Sequence, residues 1–281
     1  DGTRFSLLGS EEGIVSVRAL YIDRSGNMWI GTNESSVYCY TAEKGFVAYG
    51  SEKGLSEKSI RCFAEDKDGN IFVGTSGISY FISPEGEISA VQPDSDITYV
   101  ISAAASPDGT IMAVTNSGVL AAYKDGKCLR TDTAIDGSIF TSINYAQDGF
   151  FLAGTERFRT YKCSVDGNRI KQEQYANVSP CTAVTGIKPA GGGEYWVCAD
   201  NGIAKIDAHG RVSRMTPDYF NSNITDAMTD YQGNTWFVSA RQGVIKATVN
   251  PFRDLTSKYG HGEQVANAVY ASKDRLYIGY D

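Results

Sequence analysis

One short motif is written seven times along this chain. A tight turn, an apolar strand and a Gly-Thr-like ending recur as DRSGNMWIGT (23–32), DKDGNIFVGT (66–75), SPDGTIMAVT (106–115), AQDGFFLAGT (146–155), AGGGEYWVCA (190–199), DYQGNTWFVS (230–239) and SKDRLYIGYD (272–281). Starting from Gly26, the matching residues are Gly69, Gly109, Gly149, Gly193, Gly233 and Asp274, at spacings of 43, 40, 40, 44, 40 and 41. A period of that size, with room for four short strands per copy, is the signature of a β-propeller. The expected fold is therefore all-β, a seven-bladed β-propeller occupying residues 1–281 as a single domain. The last copy stops after its second strand, so that blade is expected to be incomplete or to be closed by the N-terminal segment Thr3–Leu8, with Arg4–Ser6 pairing beside it, since closure removes exposed sheet edges.

The second copy lays out the unit. Strands are expected at Ser59–Glu65, Ile71–Gly74, Ile78–Phe81 and Glu87–Val91, with turns at Asp66–Asn70 and Pro84–Gly86. The Asp, Gly and Asn of those turns supply the positive φ that a tight hairpin needs. Third strands follow elsewhere at Val37–Tyr40, Val119–Tyr123, Phe158–Cys163, Ile203–Ile206 and Val244–Ala247. In a propeller both faces of a blade are covered by neighbours, so apolar residues are expected on both. That reading places Trp29, Phe72, Met112, Leu152, Trp196, Trp236 and Tyr277 in the core between blades.

Composition narrows the partners. With 26 Lys+Arg against 33 Asp+Glu the net charge is -7, and no basic run is present, which argues against nucleic acid. No apolar stretch approaches 18 residues, so neither a transmembrane helix nor a signal peptide is expected within residues 1–281. Six cysteines (Cys39, Cys62, Cys128, Cys163, Cys181 and Cys198) are too dilute for a disulfide scaffold and fall mostly in strands, where buried free thiols are expected.

The repeat resembles the two-component regulator propeller repeat. The shared pattern is carried in the first copy by Asp23, Gly26, Asn27, Trp29, Ile30, Gly31, Thr32, Val37 and Tyr40. In the second it is carried by Asp66, Gly69, Asn70, Val73, Gly74, Thr75, Gly77, Ile78 and Phe81, and the sixth keeps Gly233, Asn234, Trp236, Gly243 and Val244. The lead-ins GSEEGI (9–14) and GSEKGL (50–55) also match, whereas copies three to five are degenerate. The resemblance implies an extracytoplasmic sensor segment of a longer bacterial membrane receptor, periplasmic or at the cell surface. Behind its membrane helix would lie a histidine kinase or diguanylate cyclase, and several such sensors respond to oligosaccharides.

Geometry selects the surface where a ligand would sit. Loops between second and third strands open on the same face as the blade-to-blade connections, and loops on rigid blades carry binding. The candidate ligand-binding residues are Asn33, Asn116, Arg157, Arg159, Asp200, Arg241 and Tyr219. Around them lie Glu34, Glu156, Asn201 and Gln242 on the loops, and Lys58, Asp96, Asp136, Asn221, Asn223 and His261 on the connections. Catalysis finds little support. His209 and His261 fall in different copies, and Asp23, Asp66, Asp108 and Asp148 sit one per turn, too far apart for paired acid–base work. No cofactor or metal is expected. The leading reading is a non-catalytic sensor of a small molecule or oligosaccharide, working with other domains of its receptor and with a second copy of itself as a candidate partner. The alternatives are a protein-interaction scaffold and a polysaccharide-acting enzyme.

Overall fold

The computed structural model describes residues 7–9, 11–34, 36–56, 59–91, 97–146, 149–167, 169–248, 266–273 and 275–280. It separates into two compact units, Asp1–Lys246 and Ala247–Asp281, each taken here by itself. The proposed closing strand Thr3–Leu8 lies, but for its last two residues, outside the described residues.

The first unit carries six antiparallel sheets, one per repeat copy, each a meander in chain order. Blade 1 runs Val17–Ile22, Met28–Thr32, Val37–Thr41 and Gly45–Tyr49. Blade 2 runs Ile60–Glu65, Ile71–Thr75, Tyr80–Ile82 and Ile88–Ala90. Blade 3 comprises Val100–Ala105, Ile111–Thr115, Leu120–Lys124 and Lys127–Asp132, and blade 4 Phe140–Tyr145, Phe151–Thr155, Arg159–Asp166 and Arg169–Asn177. Blade 5 comprises Val184–Gly191, Glu194–Ala199, Gly202–Ile206 and Val212–Arg214, and blade 6 the three strands Ile224–Thr229, Thr235–Ser239 and Gly243–Ala247. The first strand of each blade is innermost and packs beside the first strand of the next. The second unit holds the seventh copy as one hairpin, Ala266–Ala271 with Leu276–Tyr280. Among the described residues no helix is long and apolar enough to cross a membrane.

The turn motif is a hydrogen-bonded lock. Asp23 accepts from the backbone N–H of Ser25 (2.9 Å) and Asn27 (2.8 Å), from the Asn27 side chain and from the Trp29 indole N–H, each of the last two at 2.9 Å. Asp230 repeats this with Gln232, Asn234 and Trp236. Asp66 does the same through Asp68 and Asn70. The Gly-Thr ending has its own cause. A Cβ on Gly31 would stand 2.5 Å from Ile60, and one on Gly74 would stand 2.5 Å from the Cys62 sulfur and 3.0 Å from Val100. At these two positions a side chain is excluded by the inner strand of the next blade, through Ile60 and Val100, and at Gly74 also by Cys62 of its own blade. The threonine then closes the following loop: the hydroxyls of Thr32, Thr75 and Thr155 donate to the carbonyls of Ser36, Ile78 and Arg159.

Five clusters of buried apolar side chains fill the spaces between consecutive blades of the first unit. Trp29, Phe72, Met112 and Leu152 are buried in them as expected. Trp196 and Trp236 are not fully buried. Trp29 is backed by Tyr49 of its blade's fourth strand, ring centroids 5.6 Å apart. Blade 6 has no fourth strand among the described residues, and the Trp236 ring is instead overlaid by the Lys246 ammonium at 5.0 Å. Trp196 meets Phe237 edge-on at 5.1 Å, with Lys205 over its ring. Tyr277 is 53% exposed, because a two-stranded hairpin has no second layer of its own to bury it.

Three outcomes test this description. Trp29→Ala should lose about 3–5 kcal/mol in chemical unfolding, and Trp236→Ala only about 1–2 kcal/mol, since less area leaves water at the second site. Gly74→Ala should lose about 1–3 kcal/mol by overpacking against Cys62 and Val100, read from the same unfolding curves. The Asp230 carboxyl is held down at about 2, first by the Trp236 indole N–H, with desolvation opposing and Asn234 assisting. A depressed folded value stabilises the fold above the unfolded carboxylate range near pH ~4, and that contribution is lost as pH falls toward about 2. Asp230→Asn should therefore flatten the fall in melting temperature across that window.

Candidate functional site

Every inner strand of the first unit carries a β-bulge at the same place. The pairing skips one residue between Val17 and Ala19, Ile60 and Cys62, Val100 and Ser102, Phe140 and Ser142, Val184 and Gly186, and Ile224 and Asp226. The extra residues are Arg18, Arg61, Ile101, Thr141, Thr185 and Thr225. A bulge re-aims its side chain and is commonly found beside functional sites. Five of these six residues, all but Thr141, line one central cavity of about 770 Å³ bounded by the inner strands. That volume lies within the usual range for small-molecule sites, about 300–1,000 Å³.

A second regularity sets the bulges at one mouth. The residue just before the inner strand is left-handed in five blades: Ser16 (φ 54°), Ser59 (58°), Tyr99 (61°), Ala183 (48°) and Asn223 (48°). Non-glycine residues rarely adopt this conformation. Here it turns each carbonyl toward the loop that leaves the blade's second strand. The N–H of Asn33 donates to Ser16 O (3.0 Å), Ser76 to Ser59 O (3.1 Å), Asn116 to Tyr99 O (2.8 Å), Asp200 to Ala183 O (3.2 Å) and Ala240 to Asn223 O (3.0 Å). In blade 4 Glu156 donates likewise to Ile139 O (2.9 Å). Second-to-third-strand loops and blade connections are thus latched together on one face, and the bulges lie just inside it.

The wall of the cavity is chemically lopsided. Across blades 3 to 6 the inner strands bind one another through small polar groups. The Thr141 hydroxyl donates to Val184 O at 2.6 Å, Thr185 to Ile224 O, Ser102 to Ile143 O at 3.3 Å, and the Asn144 amide to Ile187 O at 2.8 Å. Lys188 pairs with Asp226 at 2.9 Å. Blades 1 and 2 present arginines instead. Arg24 is engaged by Glu65 at 3.1 Å. Arg18 forms no ion pair among the described residues. Arg61 donates from one terminal nitrogen to the Tyr99 hydroxyl at 3.0 Å and lies over the Tyr99 ring at 5.3 Å. Its Nε is buried without a hydrogen-bond partner among the described residues, a costly state for a charged donor.

None of the seven residues selected from sequence lines this cavity. They stand on the latched face outside it. The Asn33 side chain accepts from the Ser59 hydroxyl at 2.8 Å, and Asn116 and Asp200 supply latch N–H groups. Arg159 is ion-paired to Asp136, and exposed Arg157 to Glu156 at 3.4 Å. The Arg241 N–H donates to the Ser239 hydroxyl at 3.1 Å, and Tyr219 is exposed while its carbonyl accepts from Gln242 at 3.3 Å. His209 occupies the turn between third and fourth strands of blade 5, bonded to Asp207. Lys58, Asp96, Asp148 and His261 lie outside the described residues. The bulge column was nonetheless readable: Arg18, Arg61, Ile101, Thr141, Thr185 and Thr225 each stand eight residues before the turn glycine of their copy.

The model of the two-component regulator propeller family matches residues 12–34 and 54–77. Those segments are the lead-in, inner strand and second strand of blades 1 and 2. No curated protein sequence matches the chain. Among solved structures, the chain is similar to the extracellular domain of a hybrid two-component system from B. thetaiotaomicron, at 18% identity and TM-score 0.68, covering 95% of this chain and 38% of that one. The extracellular domain of a one-component system from the same organism gives 15%, 0.60, 94% and 43%. Virginiamycin B lyase from Staphylococcus aureus, solved with quinupristin, gives 14%, 0.66, 94% and 92%. At these identities the likeness establishes the propeller fold alone. The chain spans about two fifths of the sensor ectodomains it resembles.

All six cysteines are free thiols, and Cys62 lines the cavity. Burial pushes the thiols of Cys62, Cys163 and Cys198 up to about 12. The native protein at pH ~8 should therefore leave these three unlabelled by a thiol-specific reagent, whereas the denatured chain should label at all six. Mass spectrometry of the labelled peptides checks this, Cys62 being the informative site.

Proposed function

We propose that this chain is the ligand-sensing segment of a bacterial signalling receptor, held on the extracytoplasmic side of the membrane. It binds a small molecule, an oligosaccharide being the leading class, and performs no catalysis itself. The observation that carries this reading is the central cavity: a ligand-sized space whose mouth is framed by rigid strands and latched loops, with polar side chains converging on it. The family match supports it, because the matched segments of blades 1 and 2 supply the arginine wall of that cavity. The likeness to extracellular domains of two- and one-component systems supports the receptor context. Output, membrane anchoring and any second copy belong to the wider receptor. Signalling then requires only that an occupied cavity bias how the neighbouring domains associate, by the coupling free energy between the two events.

A lyase shares the fold, so turnover is the competing outcome. Incubating the purified chain with a panel of oligosaccharides, following binding by calorimetry and product by chromatography, separates the two. The expected result is saturable binding without cleavage. Ile101→Trp, which intrudes on the cavity, should abolish that binding while leaving the melting temperature near wild type. Cleavage of any glycan, or binding unaffected by Ile101→Trp, would overturn the assignment.

A further inference from the structure

We infer that Arg18 and Arg61 form an anion-recognition pair, and that the ligand of the cavity carries a carboxylate, as an acidic sugar does. This deepens the sensing proposal above and rests on it for the ligand's entering the cavity. Four observations lead there. The two arginines occupy the same bulge position on adjacent inner strands, in the column where blades 4, 5 and 6 carry threonine. Threonine in that column spends its hydroxyl on a backbone carbonyl, in blades 4 and 5 that of the next inner strand, so it is a structural residue; arginine makes no such bond. Every other cation lining the cavity has a carboxylate: Arg24 has Glu65, Lys67 has Asp68 at 2.7 Å, and Lys188 has Asp226. Among the described residues Arg18 and Arg61 have none.

Arg61 is also prepared for an acceptor. Its guanidinium lies 5.3 Å from the Tyr99 ring centroid, and the bond it donates to the Tyr99 oxygen restrains it while leaving the phenol's own proton free to donate. Its Nε is buried and unsatisfied. A guanidinium whose Nε has no partner among the described residues suits the two parallel bonds that a carboxylate accepts. The size of the charge selects the ligand further. Two cations inside a chain of net charge -7 attract a small ligand with one carboxylate, whereas a polyanion would also meet the repulsion of the outer surface.

The test compares sodium glucuronate with glucose, and a neutral oligosaccharide ending in a single uronic acid with the same oligosaccharide ending in a neutral sugar, by calorimetry at low and high salt. The expected result is preference for the acidic member of each pair, weakened by salt. Arg18→Ala and Arg61→Ala should each cost about tenfold or more in affinity for the acidic ligands, as expected for loss of a charge-assisted bond, with little change for neutral ones. Arg61→Lys should recover part of the loss, keeping charge without the fork. Arg18 is exposed, so its variant reports on the site even if Arg61→Ala perturbs folding. Equal binding of acidic and neutral ligands, or acidic binding indifferent to Arg18→Ala, would overturn the anion site while leaving the sensing proposal standing. Binding of neither class would overturn both.

Discussion

The packing of one blade on the next turns on a close approach between strands, tightest where the repeat keeps its glycine. Where the second strand ends in glycine, the inner strand of the following blade lies against it with no space for a Cβ, as at Gly31 beside Ile60, Gly74 beside Val100 and Gly154 beside Val184. That contact fixes how near successive inner strands come, and so the bore of the channel. The interblade clusters supply the bulk of the hydrophobic stabilisation, but apolar packing is non-directional. The glycine contact supplies the direction. Blades 3, 5 and 6 carry Val114, Cys198 and Val238 in its place, so the repeat tolerates departure without losing its register.

Much of this was legible in the sequence, because a repeat exposes its rules by repetition. Strands of blade 2 fall within about two residues of their expected limits, since Asp-Gly-Asn turns mark both ends of each hairpin. That Asp23 and Asp66 cap their turns followed from residue type, and Asp230 repeats the arrangement in the sixth copy. The two partly exposed tryptophans did not. Burial at a repeated position depends on whether a neighbour covers it, and among the described residues blade 6 has no fourth strand like the one that screens Trp29 in blade 1.

The seven loop residues selected from sequence lie outside the cavity for a similar reason. Sequence reasoning looked to loops such as Glu156–Arg159, where the repeat breaks down. The structure uses those loops to clamp one another, with Arg159 on Asp136 and Asn33 on Ser59. The cavity is instead lined by residues inside the strands. A bulge leaves no mark on composition or alternation, because its extra residue looks like one more member of a short strand. Stacking the copies on their turn glycines would have isolated the column, since Arg18 and Arg61 stand out there against Thr141, Thr185 and Thr225.

The bulge column has a consequence for how such a protein diversifies. Most of its side chains line the cavity, and where the residue is arginine it takes no part in tying one inner strand to the next, so its identity is less tightly coupled to the fold than that of the threonines in blades 4 and 5. A ring of such positions behaves as a small alphabet written around an axis, one letter per blade. Because cationic letters cluster on one side and hydroxyls on the other, the axis is broken: an occupant feels a preferred azimuth as well as a preferred depth. A pseudo-symmetric scaffold thereby acquires a handed interior, and rewriting a few letters can re-aim it without rebuilding a blade.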